Sequence, residues 1–220
     1  MSKNRHLNRI AREIAACRVC KKDCTGLPVP GEGSPDARVV FIGEAPGKEE
    51  AKTGRPFIGR SGKLLRQMIR DLGLAESDVF ITSPVHYLPL RGTPSKTMVL
   101  HGREHLVEQL TVIGPDIVVL LGKTACLAML DQNVEITRTH GSVVRKDGRV
   151  LYITFHPAYA LRFPEGKRQF VRDFSKLRRL ITSARQGTPP PAAHASGRSR
   201  SDARTAARSP RRTTRHRQES

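Results

Sequence analysis

The sequence predicts an α/β fold with three layers, α/β/α, around a central, mainly parallel sheet of four strands. Three observations carry that expectation. Short β-branched apolar runs recur along the chain, at 38–42 (RVVFI), 79–82 (VFIT), 116–121 (DIVVLL) and 150–154 (VLYIT). Each is too uniformly apolar for a strand with one wet face, so each reads as buried on both sides. Between them lie segments with apolar residues at helical spacing, and strands alternating with helices produce a parallel sheet covered on both faces.

The elements follow in order. Leu7, Ile10, Ala11, Ile14 and Ala15 fall on one helical face, so 6–16 reads as an amphipathic helix. A loop rich in Gly and Pro runs from Cys17 to Ala37, and the first strand follows at 38–42. That strand empties into a long loop, GEAPGKEEAKTGRPFIGRSGKLL, of residues 43–65. Ser61 is placed to cap a helix carrying Leu64, Leu65, Met68, Ile69 and Leu72, with Gly73 as its stop. The second strand, 79–82, leads into a proline-bearing loop and a helix over 97–112. Pro115 precedes the third strand, and Gly122 turns into a helix of residues 123–130. Val143-Val144 and 150–154 flank Lys146-Asp147-Gly148, a hairpin signal. A last helix spans 165–181.

The formal net charge is +19 over 220 residues. Residues 184–220 hold nine Arg against Asp202 and Glu219, a net +7, which leaves +12 in residues 1–183. The balance points to a polyanionic partner, nucleic acid first. Residues 1–183 read as one folded domain. Residues 184–220, built from Arg, Ser, Ala, Pro and Thr, read as a disordered basic tail that buries too little to fold alone. No apolar run approaches the about 20 residues of a membrane span, and the first residues, MSKNRHLNRIAREIAAC, lack the apolar core of a leader. The expectation is a cytoplasmic, nucleoid-associated monomer with no membrane partner. In that compartment Cys17, Cys20 and Cys24 read as thiols or metal ligands.

In an open α/β sheet, ligands bind beyond the carboxyl ends of the strands. Those ends are Gly43-Glu44, Ser83-Pro84, Gly122-Lys123 and His156-Pro157. A carboxylate, a hydroxyl, a glycine turn and an imidazole thus converge from distant positions. The 43–65 loop is not a Walker A loop, because position 57 is Phe and Gly62-Lys63 is followed by Leu64. GEGSPD at 31–36 fails the dinucleotide fingerprint as well.

GEAPG (43–47), GRPFIGRSGKLL (54–65) and TFHPAYALR (154–162), together with a CxxC near the start and LG after the third strand, resemble the family 4 uracil-DNA glycosylases over about residues 14–181. The resemblance implies an enzyme that flips uracil out of DNA and hydrolyses its N-glycosidic bond. It assigns catalysis to Glu44 and His156, with Glu44 positioning or deprotonating water and His156 donating to uracil O2. It gives base contacts to Gly43, Phe57 and Ser83, Phe57 being the aromatic platform. Leu161 and Arg162 fill the vacated stack and hold phosphate, and Arg55, Arg60 and Lys63 are phosphate contacts. The partner is then DNA containing uracil or another deaminated base. A glycosylase for hypoxanthine or xanthine, and a DNA-binding protein without catalysis, stay open beside uracil excision.

Two departures stand out. The family's second strand ends in Asn, which reads uracil's O4 and N3–H, whereas here Ser83 follows VFIT. The family also carries a [4Fe–4S] cluster on four cysteines. Cys17 and Cys20 match the first pair, but the third and fourth positions fall near Tyr87 and Gly102. Cys24, His86, His101 and His105 remain as further donors, so a [4Fe–4S] cluster, zinc or no metal are all open, and none is required for the chemistry.

The basic tail yields a test. Deleting 184–220 is expected to spare chemistry on a short oligonucleotide at saturation. It should weaken affinity for long duplex DNA and flatten the slope of log K against log salt by at most about 0.9 for each phosphate the tail had neutralised. Salt titrations of the full-length and truncated proteins on one long duplex measure this, and identical slopes would make the tail a bystander.

Overall fold

A computed structural model describes residues 2–186. The tail from 187 onward lies outside the described residues. Helices α1 (Lys3–Ala16) and α2 (Arg18–Lys21) open the chain, followed by the two-residue strands β1 (Cys24–Thr25) and β2 (Glu32–Gly33) and by β3 (Val39–Ile42). Then come α3 (Lys48–Thr53), α4 (Arg60–Asp71), a 3₁₀ turn, β4 (Val79–Thr82), β5 (Leu88–Pro89) and α5 (Lys96–Ile113). The remainder is β6 (Ile117–Leu121), α6 (Lys123–Leu130), α7 (Ile136–Thr139), β7 (Ser142–Lys146), β8 (Arg149–Thr154), α8 (Pro157–Arg162) and α9 (Pro164–Arg185).

The main sheet has six strands in the order β2-β4-β3-β6-β8-β7. The four apolar runs form its parallel centre, β4-β3-β6-β8, in register Ile42↔Thr82, Ile42↔Leu120 and Leu121↔Thr154. Every residue of β3, β4 and β6 is buried, as runs covered on both faces require. Antiparallel strands close both edges. The expected hairpin supplies β7, which is half-buried along its length apart from the exposed Arg145. The other edge, β2, is two residues long and too short to leave a sequence signal. Helices α4, α8 and α9 contact one another in one group, and α1, α5 and α6 in another, enclosing the sheet as the outer layers. Phe41 of β3 stacks on Phe174 of α9 at 6.3 Å.

From β3 the chain moves to β4 on one side, then crosses back to β6 on the other. The strand order therefore reverses between β3 and β6, which makes that cleft the place where two loops part and leave room for a ligand.

Two expectations shift. Helix α4 starts at Arg60 with Gly59 as its N-cap, so Ser61 is a first-turn residue and not the cap. Helix α9 continues to Arg185, because Leu177, Leu180 and Ile181 keep burying one face of it, and so it enters the segment read as tail.

Candidate active site

The carboxyl ends of the central strands surround a cavity of about 240 Å³ lined by Glu44, Pro46, Phe57, Ser61, Ser83, Leu88 and His156, among others. That is below the range of about 300–1,000 Å³ typical for drug-sized ligands and suits one small planar group. A second cavity, of about 210 Å³, lies where β3 and β6 begin, lined by Arg38 and Asp116, far from these groups in the sheet.

Glu44 follows β3 directly. Thr124, in the first turn of α6, donates from its hydroxyl to Glu44 Oε2 at 2.9 Å. This bond crosses the switch point and fixes the carboxylate while leaving Oε1 for the cavity. Thr124 did not stand out in the sequence, although its position just after LGK, at the end of a strand, was the available signal.

Phe57 is the floor. Its ring lies against Gly43 so closely that a Cβ there would meet the ring at 2.4 Å. Its centroid stands 5.9 Å from the His156 ring, with the planes tilted by 36°. The Phe57 backbone is left-handed, at φ +52°, a conformation that costs a side-chain-bearing residue about 1–2 kcal/mol. Three features hold it. Arg66, almost fully buried, donates to the carbonyls of Phe57 at 3.0 Å and Pro56 at 2.8 Å. Glu76 and Glu32 pair with the same guanidinium. Gly62 leaves the space beneath, since a Cβ at that position would lie 2.0 Å from the Phe57 carbonyl.

The rest of the loop is tied by Glu50, whose side chain is buried. Its Oε1 accepts from the amides of Ile58 and Gly59, both at 2.8 Å, and its Oε2 from Gly47 at 3.1 Å. One carboxylate thus joins the GEAPG turn to the start of α4. Neither Glu50 nor Arg66 stands out in the sequence, where each is one more charged residue in a charged stretch.

His156 follows β8 and caps α8. The Ala158 amide donates to its Nδ1 at 3.2 Å, so the ring proton sits on Nε2. Burial pushes its pKa down to about 4. The ring is therefore neutral, with an N–H donor, across the physiological range. Two residues earlier, Thr154 donates to the buried Asp173 at 2.8 Å, and His140 Nδ1 lies 3.0 Å from both Asp173 oxygens. This network anchors the end of β8 behind the site.

Ser83 lines the cavity but gives its hydroxyl proton to the Val85 carbonyl at 2.8 Å. Towards the cavity it offers lone pairs only. Leu161 is exposed on α8, and Arg162 sits 5.3 Å over the Phe163 ring. Arg60 and Lys63 are exposed on the first turn of α4. Arg55 is held in a two-pronged pair with Glu32 at 2.7 and 2.8 Å, outside the cavity.

A separate corner collects the metal candidates. Donor atoms of Cys17, Cys20, His101 and His105 all lie within 4.8 Å of one another. Cys24 and His86 stand outside that group: Cys24 is drawn into β1, which pairs with β5, and His86 turns Nδ1 to the Val29 carbonyl at 3.3 Å. Burial works against ionisation of the Cys17 thiol, but hydrogen bonds from the Cys20 amide and from His101 outweigh it together and bring its pKa to about 6.

The profile of the uracil DNA glycosylase superfamily matches residues 30–178. The chain belongs to that superfamily. A type-4 uracil-DNA glycosylase of Thermotoga maritima is 38% identical over 182 residues, covering 77% of this chain and 94% of that protein. Type-4 enzymes of Sulfurisphaera tokodaii and Archaeoglobus fulgidus are each 35% identical, covering 83% and 79% of this chain and 88% and 92% of theirs. The matched region spans the superfamily sheet and every cavity residue named above. No helix among the described residues is long and apolar enough to cross a membrane.

Glu50→Gln tests the loop assignment. An amide retains one acceptor oxygen and turns an NH₂ toward a backbone N–H, an unmade bond worth about 1–3 kcal/mol. At about 2–4 °C per kcal/mol for a domain of this size, the melting temperature is expected to fall by about 2–12 °C, with catalysis falling further than non-specific DNA affinity. A variant with unchanged melting and activity would remove Glu50 from this role.

Proposed function

We propose that the protein is a monofunctional uracil-DNA glycosylase: it takes uracil from the DNA stack into the cavity and hydrolyses the C1′–N1 bond, leaving an abasic sugar. The observation that carries the proposal is the pairing of Glu44 with a neutral, Nε2-protonated His156 around the Phe57 ring. A base inside a duplex exposes neither its C1′ nor its ring edge to a protein side chain, so it must leave the stack first. Phe57 offers the face it then stacks on, an interaction of about 1–3 kcal/mol per base.

As C1′–N1 breaks, positive charge develops on the sugar and negative charge on uracil. Glu44 stabilises the former, orients a water and accepts its proton as the water oxygen bonds to C1′. His156 donates from Nε2 to O2, where the leaving anion concentrates charge. Neutral imidazole suits this, because it keeps the proton while sharing it. Leu161 enters the vacated stack, while Arg162, Arg60 and Lys63 meet phosphates. Arg55 joins them once DNA competes with Glu32 for its guanidinium.

Ser83 favours a second reading. With its proton committed to Val85, it accepts from an N–H and cannot donate to O4. Uracil, hypoxanthine and xanthine all present an N–H beside a carbonyl, so a lone acceptor matches each of them. Incubation with oligonucleotides carrying U, hypoxanthine, xanthine or T, single-stranded and opposite each base, followed by alkali, measures the choice. Release of uracil supports the first reading, release of the purines alone supports the second, and no release from any substrate refutes both.

Glu44→Ala and His156→Ala are each expected to slow base release by about 10²–10⁴ with DNA binding nearly intact, as read in single-turnover assays and binding titrations. A double variant near wild-type rate removes the assignment.

The pH profile follows from the His156 shift. The folded ring has a pKa of about 4 against 6.5 for the free side chain, so the neutral donor predominates above about pH 5 and is lost only as the pH falls through 4. The rate of base release is expected to show no inflection between pH 6 and 7 traceable to His156. An inflection there that vanishes in His156→Gln would contradict the neutral donor.

A further inference from the structure

The family's four-cysteine cluster does not fit this chain, and the structure shows why. At the third ligand position Tyr87 is buried, and its hydroxyl donates toward the Ile14 and Ala15 carbonyls at the end of α1, at 3.4 and 3.3 Å. The ring occupies the room a thiolate and its iron need. Near the fourth, beside His101, Gly102 packs on the loop after β4 so tightly that a Cβ would meet the Pro84 carbonyl oxygen at 1.7 Å. A side chain of any kind is shut out there. The packing of α1, α5 and the loop after β4 thus leaves no room for a thiolate at Tyr87 or Gly102 themselves.

Another donor set stands in the same corner. Cys17 and Cys20 are three apart at the start of α2, and the Cys20 amide points at Cys17 Sγ at 3.4 Å. His101 and His105 are four apart on α5, hence on one face of the helix. The order is therefore C-x₂-C followed by H-x₃-H, the ligand spacing of tetrahedral zinc sites. His101 Nε2 lies 3.2 Å from Cys17 Sγ. The Nε2 atoms of His105 and of its neighbour His86 are both buried without a hydrogen-bond partner among the described residues, and an ion bound through His105 Nε2 would satisfy that one.

Geometry separates one ion from a cluster. Two bonds of about 2.0–2.3 Å to a single ion keep its ligands within about 4.6 Å of each other. In a cluster each ligand binds a different iron, so an iron–iron edge is added and the donors stand farther apart. Here all four donor atoms lie within 4.8 Å of one another, within a few tenths of an ångström of that single-ion limit. A second donor group, Glu13, His105 and Glu108, shares His105, but Arg9 already pairs with both of its carboxylates.

We infer that Cys17, Cys20, His101 and His105 bind a single zinc ion in a tetrahedral S₂N₂ site that replaces the family's iron–sulfur cluster. The donor chemistry agrees, since two thiolates with two imidazoles in a tetrahedron suit zinc, and the close spacing of the four donors favours one ion over a cluster. The ion clips the end of α1 to α5 across more than 80 residues of chain, the work the cluster's four thiolates would otherwise do. All four ligand positions are filled by protein, so the site is structural and holds no open position for water or substrate.

The inference does not rest on the glycosylase reading, and its test does not use activity. The full chain is expressed with both iron and zinc supplied, purified without oxygen and assayed for metals and acid-labile sulfide. The expected result is about one zinc per chain, no stoichiometric iron or sulfide and no visible absorption. Cobalt(II) put in place of zinc is expected to give the intense visible bands of a tetrahedral thiolate site. Chelation is expected to lower the melting temperature by about 10 °C, the scale of removing a tightly bound ligand of the folded state. Cys17→Ser and His105→Ala should lose the metal, while Cys24→Ser keeps it. Iron with sulfide in the purified wild-type protein overturns the inference, as does zinc-supplied protein that carries no metal. Zinc retained in both ligand variants, or lost in Cys24→Ser, overturns the ligand set. The wild-type stoichiometry and the cobalt spectrum decide the matter even where a ligand variant fails to fold.

Discussion

The Glu50 carboxylate, in the wall of the cavity, ties together the loop on which the candidate site is built. Residues 43–59 leave β3 and must return to begin α4 while presenting Glu44 and Phe57 to one small space. Such a loop has amides to satisfy and no ladder to satisfy them with. Glu50 takes three of them, from Gly47, Ile58 and Gly59. Charge-assisted bonds of this kind are about twice as strong as neutral ones, and burial keeps water from competing. With both ends held, Arg66 can keep Phe57 in a left-handed backbone that it would not choose. The aromatic floor is thus held by two buried polar side chains, Glu50 in the cavity wall and Arg66 behind it.

The same economy appears in the protonation of the site. The two groups assigned to chemistry need opposite characters, one anionic and one a neutral donor. Thr124 and the cavity mouth keep Glu44 hydrogen-bonded and half-exposed. His156 is half-buried in the wall of the same cavity, where desolvation lowers its pKa and its Nδ1 accepts from the Ala158 amide. Fixing Nδ1 as acceptor decides the tautomer as well as the charge. The acid that does lie near β8, Asp173, is spent on Thr154 and His140 and so braces the strand without charging His156.

The metal corner and the active site share a loop. The segment from Ser83 to Leu88 carries the base-facing hydroxyl at one end and pairs with β1, beside Cys24, at the other. Tyr87 bonds to the end of α1, and Gly102 of α5 packs directly on Pro84 of this loop. The substitution of Ser for Asn at the end of β4 therefore sits in a loop whose far side reaches the metal corner. Ser83, proposed to face the base, and Tyr87, beside the Cys/His cluster, are thus neighbours in one stretch of chain.

Sequence alone determined what depends on neighbours along the chain. The four parallel strands announce themselves because uniformly apolar runs have only the middle of a sheet to go to, and the helix 123–130 is found with its observed ends. The strand ends then name Glu44, Ser83 and His156, because a parallel sheet puts all its carboxyl termini on one side. Chain order could not reveal β2, two residues long with no periodicity to read, nor that Gly59 and not Ser61 caps α4, since the Gly59 amide is claimed by Glu50 nine residues back. It left Cys24 and His86 in contention as ligands, because spacing ranks donors without orienting them. Only the fold turned His101 and His105 onto Cys17 and Cys20 while pulling the other two away. Thr124, Glu50 and Arg66 stayed hidden for the same reason: a polar side chain's role is set by which distant backbone group or carboxylate it faces, and that partner exists only once the strands have closed.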